Sequence, residues 1–432
     1  MIFEVLTTSL MGGIALNAFI KKKGLATNDS GKIQRIISLS GLNVKDGKDT
    51  LTTQLIKKKQ HDWGWEYKYR IPLGRSFNDY LNKMDILQDG INNRRKRISF
   101  NDIKSLNLDA NVVLQFQELW KNKLTENKEI ELDFDGLLII RIYDKPLPIQ
   151  VNFINGDNWQ VPVGITRNKN EFKFHDFEKT PHFVLGGATR YGKSNFINSI
   201  IVSLIQSKSD HVKLFLIDLK GGVEFSDYQN LKQTVSIAFE PEDALETLNK
   251  AYDTMINIQK RLRKLGKKKV QEANIKERYF IIVDEVGELN PYEAIDSDEK
   301  KLKIACQKYM SQIARLGAGL GFRLIVATQY PLGTVVNNQI KQNSDAKLCF
   351  RVQSEVASRV VLDSGGADKL PQIVGRAIYQ TADKREILQT PYISSNIIKT
   401  TIAPHIIEKE VLPFEEEFKP QGRRNIITFE KV

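Results

Sequence analysis

The chain is poor in the residues that build covalent or metal frameworks. Its 432 residues include two cysteines, Cys306 and Cys349, which excludes a disulfide scaffold and fits a reducing compartment. The five histidines (His61, His175, His182, His211, His405) show no His-Glu-x-x-His spacing, and there is no Cys-x-x-Cys pair. Nothing therefore points to a zinc site. Internal repeats and low-complexity blocks are absent too. Long apolar runs are scarce: residues 5–20 are uncharged and are followed by Lys21-Lys22-Lys23, but a spanning helix needs about 20 apolar residues. Thr, Ser, Asn and a Gly pair weaken the run further. The charges follow it instead of preceding it, a poor fit to a cleaved leader. If it inserts, the lysines stay inside, leaving a membrane-anchoring helix over residues 1–23 and the rest at the cytoplasmic side of the cell membrane. The alternative is a docking helix on a cytoplasmic protein.

What is present is ordinary globular composition, 41% hydrophobic and 27% charged, with an excess of base: 64 Lys+Arg against 52 Asp+Glu, a net charge of +12. That surplus suits a polyanion, either nucleic acid or anionic lipid. The length fits two or three domains. Residues 24–62 are polar and rich in Gly, Ser and Asn, and read as a linker. Over residues 63–155 a small α/β module is expected, with strands at WEYKYRIPL, LLIIRIYD and PIQVNF and a helix at SFNDYLNKMDILQDGI. Its basic run Arg94-Arg95-Lys96-Arg97 reads as a solvated loop, with contact to phosphates the alternative. Over 156–395 short apolar runs (HFVLG, KLFLID, YFIIVD, FRLIVAT, KLCFRV, RAIYQ) alternate with helical patterns. Such alternation predicts a mainly parallel sheet covered on both faces. Residues 396–432 form a tail too short for a stable domain.

Within the alternating region, Gly187-Ala188-Thr189-Arg190-Tyr191-Gly192-Lys193-Ser194 matches G-x-x-x-x-G-K-[ST]. In such a loop the backbone amides cradle phosphates, the lysine reaches the β and γ oxygens and the hydroxyl ligates Mg²⁺. An apolar strand leads in and an apolar helix beginning near Ser194-Asn195 leads out, so the loop occupies a helix N-terminus, where N–H groups and the dipole favour an anion. ATP and Mg²⁺ are the expected ligands, and residues 187–195 the nucleotide-binding set. About ninety residues on, Tyr279-Phe280-Ile281-Ile282-Val283 ends in Asp284-Glu285. Asp284 is placed to hold Mg²⁺ and Glu285 to act as general base on the attacking water. Gln329, at the tip of the strand over residues 322–328, is a candidate γ-phosphate sensor; a plain strand-end residue is the alternative.

Together these residues resemble the FtsK/SpoIIIE-type DNA translocase domain over about 162–390. The family's ordered motifs appear as Pro181-His182 before the strand, Asp218-Leu219-Lys220-Gly221-Gly222, Ala327-Thr328-Gln329-Tyr330-Pro331, and Ser358-Arg359 followed by Gly366-Ala367-Asp368-Lys369-Leu370. The resemblance implies a RecA-like P-loop ATPase, a homo-hexameric ring around DNA, and basic side chains on phosphates. The helix bearing Lys260, Arg261, Arg263 and Lys264 is one candidate contact, and a solvated face the other reading. Where the family usually has a small, Gly/Ser-rich loop centre, this sequence has Arg190-Tyr191, similar to the TcpA-like coupling proteins of Gram-positive conjugative elements. Relaxase and conjugation channel proteins are the partners so implied. A second family arginine is replaced by Ala318, which leaves Arg315, Arg351 and Arg359 as candidates for a charge acting in trans. No winged-helix domain of the kind that steers chromosome translocases is expected within the short tail. A plasmid or phage translocase without a secretion role, and an ATPase of a protein secretion system, are the competing readings.

Overall fold

The computed structural model describes residues 29–92, 128–167, 171–329 and 335–407. Residues 5–20, the run 94–97 and the tail beyond 407 therefore lie outside the described residues. Among those described, no helix is long and apolar enough to cross a membrane. The chain divides into two compact units, one comprising residues up to 149 with 165–173 and 387–389, the other residues 150–164, 174–386 and from 390 onward.

The first unit begins where the sequence reading expects a linker. Residues 30–61 instead carry helix α1 (Ser30–Leu39), the hairpin β1 (Val44–Asp46) and β2 (Asp49–Leu51), and strand β3 (Gln54–His61). The helix forms because SGKIQRIISL places Ile33 and Ile37 one turn apart on one face. Both are buried with Leu42 against the rest of the unit. The polar composition disguised an amphipathic element. Strand β3 pairs with β4 (Gly64–Arg70), and the antiparallel sheet runs β3-β4-β6-β5 with β5 (Glu129–Phe134) and β6 (Leu138–Tyr143). The expected single helix after β4 is two, α2 (Phe77–Leu81) and α3 (Met84–Asn92), the first opened by a capping box of Ser76 and Asp79. Period-2 alternation sorts β6: Leu138, Ile140 and Ile142 enter the core, whereas Arg141 pairs with Glu66, Glu131 and Asp133 at 3.2, 3.5 and 3.1 Å. PIQVNF is no strand; it contributes one isolated bridge, Asn152 to Tyr392.

A ten-stranded sheet then follows: β7 (Gln160–Thr166), β8 (Phe172–Asp176), β9 (Phe183–Gly186), β10 (Val212–Ile217), β11 (Thr234–Ala238), β12 (Arg278–Val283), β13 (Phe322–Thr328), β14 (Ala346–Phe350), β15 (Arg376–Gln380) and β16 (Arg385–Gln389). Its order is β11-β10-β12-β13-β9-β14-β15-β16-β7-β8. From β11 to β14 every pairing is parallel; β14 with β15 and β16 with β7 are antiparallel. All six apolar runs are strands, and nearly all their residues are buried. The other four gave no such signal: β8, β11 and β16 are more polar and less buried, and β7 is broken by Pro162 and Gly164.

Helices α4 (Lys193–Lys208), α5 (Pro241–Lys264), α6 (Ser297–Leu320), α7 (Asn338–Gln342), α8 (Glu355–Leu362) and α9 (Ser395–Ile402) complete the unit. The long ones carry their own punctuation. α5 starts on Pro241 followed by two acids. Asp296 caps α6 by accepting from Asp298 and Glu299 amides at 2.8 Å, and Gly321 ends it at φ +85°.

The parallel register decides where chemistry collects. Ile217 faces Val283, Val283 faces Val326, and Thr328 faces Gly186. Asp218, Asp284, Gln329 and Gly187 therefore emerge together at the carboxyl end of the sheet, where open α/β folds bind ligands.

Candidate active site

Strand β9 delivers the chain into the Gly187–Ser194 loop, and α4 begins at Lys193. Three neighbours brace the loop. The Gly187 amide donates to Thr328 O at 3.2 Å and the Ala188 amide to Arg351 O at 2.9 Å, while Tyr191 O accepts from Gly375 at 2.9 Å. Gly192 sits at φ +109°, a conformation L side chains rarely adopt, and a Cβ there would lie 3.2 Å from the Gly375 nitrogen. Arg190 is itself left-handed at φ +71°. Among the described residues no acceptor engages the N–H groups of Thr189, Arg190, Gly192, Lys193 or Ser194. A ring of amides at a helix N-terminus is an anion site.

Lys193 is almost fully buried, and its ammonium donates to Asp284 Oδ1 at 2.6 Å and to Asp284 O at 2.7 Å. The sequence-distant acid and lysine thus meet, 91 positions apart. Asp284 Oδ2 is buried with no protein partner. With the Ser194 hydroxyl on the adjoining turn, this orphaned oxygen fits a hard cation such as Mg²⁺. Among the described residues no group of three or more His, Cys, Asp or Glu side chains is arranged to hold a metal ion, so such an ion would complete its shell with ligand and water oxygens.

Glu285 is also buried, and its two oxygens differ. Oε2 accepts from the Gln329 amide at 2.8 Å and pairs with Lys220 Nζ at 2.9 Å. Oε1 is buried and has no partner. Gln329 in turn takes a 2.9 Å hydrogen bond from Thr189 Oγ1 on its side-chain oxygen. The predicted sensor therefore bridges the phosphate loop and the acidic pair.

Other expected site residues stand differently. Asn195 turns its amide to Ile393, donating to its carbonyl at 2.7 Å and accepting from its N–H at 3.1 Å; its side chain fastens the 390–394 segment to α4. Arg351 donates to Leu370 O, and its own carbonyl braces Ala188. Arg359 pairs along α8 with Glu355 at 2.7 Å, both exposed. Arg315 is exposed on α6 without a partner among the described residues. None of these three guanidinium groups bonds to Lys193, Asp284 or Glu285.

The motif around Ser358 proves to be a clamp: Ser358 Oγ donates to Ser364 O at 2.8 Å and accepts from the Ala367 amide at 3.1 Å. α8 packs so closely under the loop that a Cβ on Gly186 would come within 2.3 Å of Val361. His182 accepts from the Leu324 amide at 3.0 Å. Burial, with help from the Arg323 charge, pushes it down to about 3, so it serves as a neutral acceptor. Lys260, Arg261, Arg263 and Lys264 are all exposed at the C-terminal end of α5, where they complement its dipole. The residue sequence reasoning left without a role is Lys220; its motif was visible, but its partner could be found only in three dimensions.

Comparison with known proteins agrees with this layout. Residues 155–281 match the FtsK/SpoIIIE family model, a range that includes the phosphate loop and stops just before Asp284. The chain is 30% identical over 276 residues to the DNA translocase FtsK of Chlorobaculum tepidum, which covers 58% of this chain and 33% of that protein. It is 28% identical over 281 residues to the DNA translocase SpoIIIE of Bacillus subtilis, covering 60% and 34%. The chain thus spans about a third of the length of these relatives. Among solved structures, the conjugation coupling protein TcpA of pCW3, in a monomer form with ATPγS, superposes with a TM-score of 0.58 at 21% identity, over 88% of this chain and 99% of that one. EssC of Geobacillus thermodenitrificans (ATPases 2 and 3) gives 0.51 at 14% identity, over 60% and 50%. The fold is that of a P-loop ATPase.

Proposed function

We propose that this chain, whose residues 155–281 match the FtsK/SpoIIIE family model, is an ATP-driven DNA translocase coupling a processed plasmid or integrative element to a conjugative channel. The observation that carries the ATPase reading is the acidic pair itself. Asp284 lies on the loop lysine at 2.6 Å, and Glu285 beside it keeps one buried oxygen unengaged. In this reading the amides of Thr189, Arg190 and Gly192–Ser194 receive the phosphates, and Lys193 leaves Asp284 for the β and γ oxygens. Ser194 and Asp284 Oδ2 would hold Mg²⁺, and a bound Mg²⁺ would supply positive charge against the negative charge of the phosphoryl oxygens. Water attacks the γ-phosphorus as the bridging bond to the β-phosphate breaks, and Glu285 Oε1 takes the proton released. Gln329, tied to Thr189 and Glu285, carries the loss of the γ-phosphate outward.

The conjugative part of the proposal is supported by the Thr189-Arg190-Tyr191-Gly192 loop centre and by the fold match to a coupling protein along nearly its whole length. The working form in this reading is a homo-hexameric ring on DNA, with residues 5–20 holding it at the cytoplasmic face of the membrane and relaxase and channel proteins as its partners. Two substitutions test the chemistry. Lys193→Ala should abolish nucleotide binding, whereas Glu285→Gln should retain it and lower turnover by about 10²-fold or more. A mating assay tests the biology: the element should fail to transfer with Glu285→Gln, and undiminished transfer would remove the coupling role. ATPase stimulation by a signal peptide and not by DNA would favour protein export instead.

A further inference from the structure

Lys220 stands apart from the residues that would touch nucleotide, yet the loop that holds it is built with unusual care. Asp218, fully buried at the tip of β10, organises it. Its Oδ1 accepts from the Lys220 amide at 3.2 Å, and its Oδ2 from the amides of Glu224 and Phe225 at 2.8 and 3.1 Å. Gly221 and Gly222 follow at φ +76° and +71°, two successive left-handed residues that reverse the chain. A Cβ at Gly222 would also stand 2.6 Å from Phe239 Cδ1, so both conformation and space demand glycine there. The effect of this construction is to aim one ammonium at Glu285 Oε2, 2.9 Å away.

Among the described residues Lys220 is the one cation paired with Glu285. A carboxylate buried this deeply is costly unless paired and hydrogen-bonded, and its pairing is one-sided. The lone pairs of Oε2 are taken by Lys220 and the Gln329 amide, which fixes the carboxylate plane and leaves Oε1 for a water. We infer that Lys220 is a positioning residue: through Glu285 it sets the place of the oxygen that receives the proton, and the 218–225 loop holds the ammonium where it can do so. This inference rests on the ATPase reading.

The test is steady-state ATP hydrolysis by the full chain carrying Lys220→Met, Lys220→Arg, and Lys220→Met combined with Glu285→Gln, with nucleotide affinity measured separately. Lys220→Met should lower kcat by about tenfold or more while KM for ATP and nucleotide Kd stay within about threefold, the pattern of an interaction made only in the transition state. Lys220→Arg should recover kcat to within about threefold of the parent. In the Glu285→Gln background, Lys220→Met should cost nothing further, because residues acting as one unit do not add. Should Lys220→Met not fold, Lys220→Gln replaces it with the same thresholds. A kcat unchanged within twofold, an arginine variant no better than methionine, or full additivity with Glu285→Gln each overturns the inference. If the parent chain itself shows no turnover, the ATPase reading falls and takes this inference with it; a working parent indifferent to Lys220 sinks the inference alone.

Discussion

Lys193 and Asp284 form a pair in which nearly all solvent is excluded, with Asp284 fully buried. Removing one member of such a pair strands the other in a low-dielectric site, typically at a cost of about 3–5 kcal/mol. Asp284→Ala should therefore lower the urea-unfolding free energy of the nucleotide-free protein by about 3 kcal/mol. Equal stability of variant and parent would show that water reaches the lysine. The same pair implies that nucleotide binding has to separate partners 2.6 Å apart before the lysine can serve a phosphate. These contacts were half legible in the sequence. Residue types and order marked Lys193, Ser194, Asp284 and Glu285, because phosphate chemistry leaves little choice of side chain at those places. Spacing did not reveal that Asn195 bonds to Ile393 or that Lys220 reaches Glu285, since neither contact is local along the chain.

At the scale of elements, the parallel strands have two ends with different tasks. The carboxyl end gathers the site; the amino end carries a buried charge cluster. Arg278 from β12 and Arg323 from β13 share Glu178, at 2.7 and 2.8 Å, and Gln271 donates to the same carboxylate at 2.7 Å. Burial alone would raise the Glu178 carboxyl, but hydrogen bonds from Arg278 and Gln271 and the two guanidinium charges override it and hold it down at about 2. Burial lowers Arg323 to about 10, so it stays charged. Glu178→Gln should leave two buried cations facing each other and cost about 3 kcal/mol or more, read as a shifted denaturant midpoint with unchanged slope. A midpoint within about 0.5 kcal/mol of the parent would contradict this. Elements that bury a continuous apolar run were readable from sequence, as the six core strands attest. Others were not: α1 lay hidden in polar sequence, β8, β11 and β16 lack the apolar density of their neighbours, and β7, though largely buried, is interrupted by Pro162 and Gly164.

For the whole molecule, two buried histidines link stability to pH. His175, stacked on Phe183 with Nδ1 2.9 Å from the Tyr379 hydroxyl, is pushed down to about 4 by burial, and His182 to about 3. Both start from an ordinary value of 6.5. Below that pH the unfolded chain binds protons that the buried rings refuse. Stability present at neutral pH is thus lost as pH falls from about 6.5 toward about 4 and 3, by up to about 1.4 kcal/mol per pH unit for each histidine. Urea unfolding at about pH 7 and about pH 5 should show the decline, and His175→Phe should reduce its slope by about half; a flat profile would contradict burial of neutral rings. The central claim, however, is that an amide ring facing an acidic pair turns ATP hydrolysis into movement on DNA. Steady-state ATP turnover by the full chain, with and without double- and single-stranded DNA across a salt series, tests it most directly. The account predicts turnover that DNA raises several-fold, that Glu285→Gln lowers by about 10²-fold or more, and that loses its DNA stimulation as salt screens the phosphates. Turnover indifferent to DNA at every salt concentration, or equal in Glu285→Gln, would contradict it.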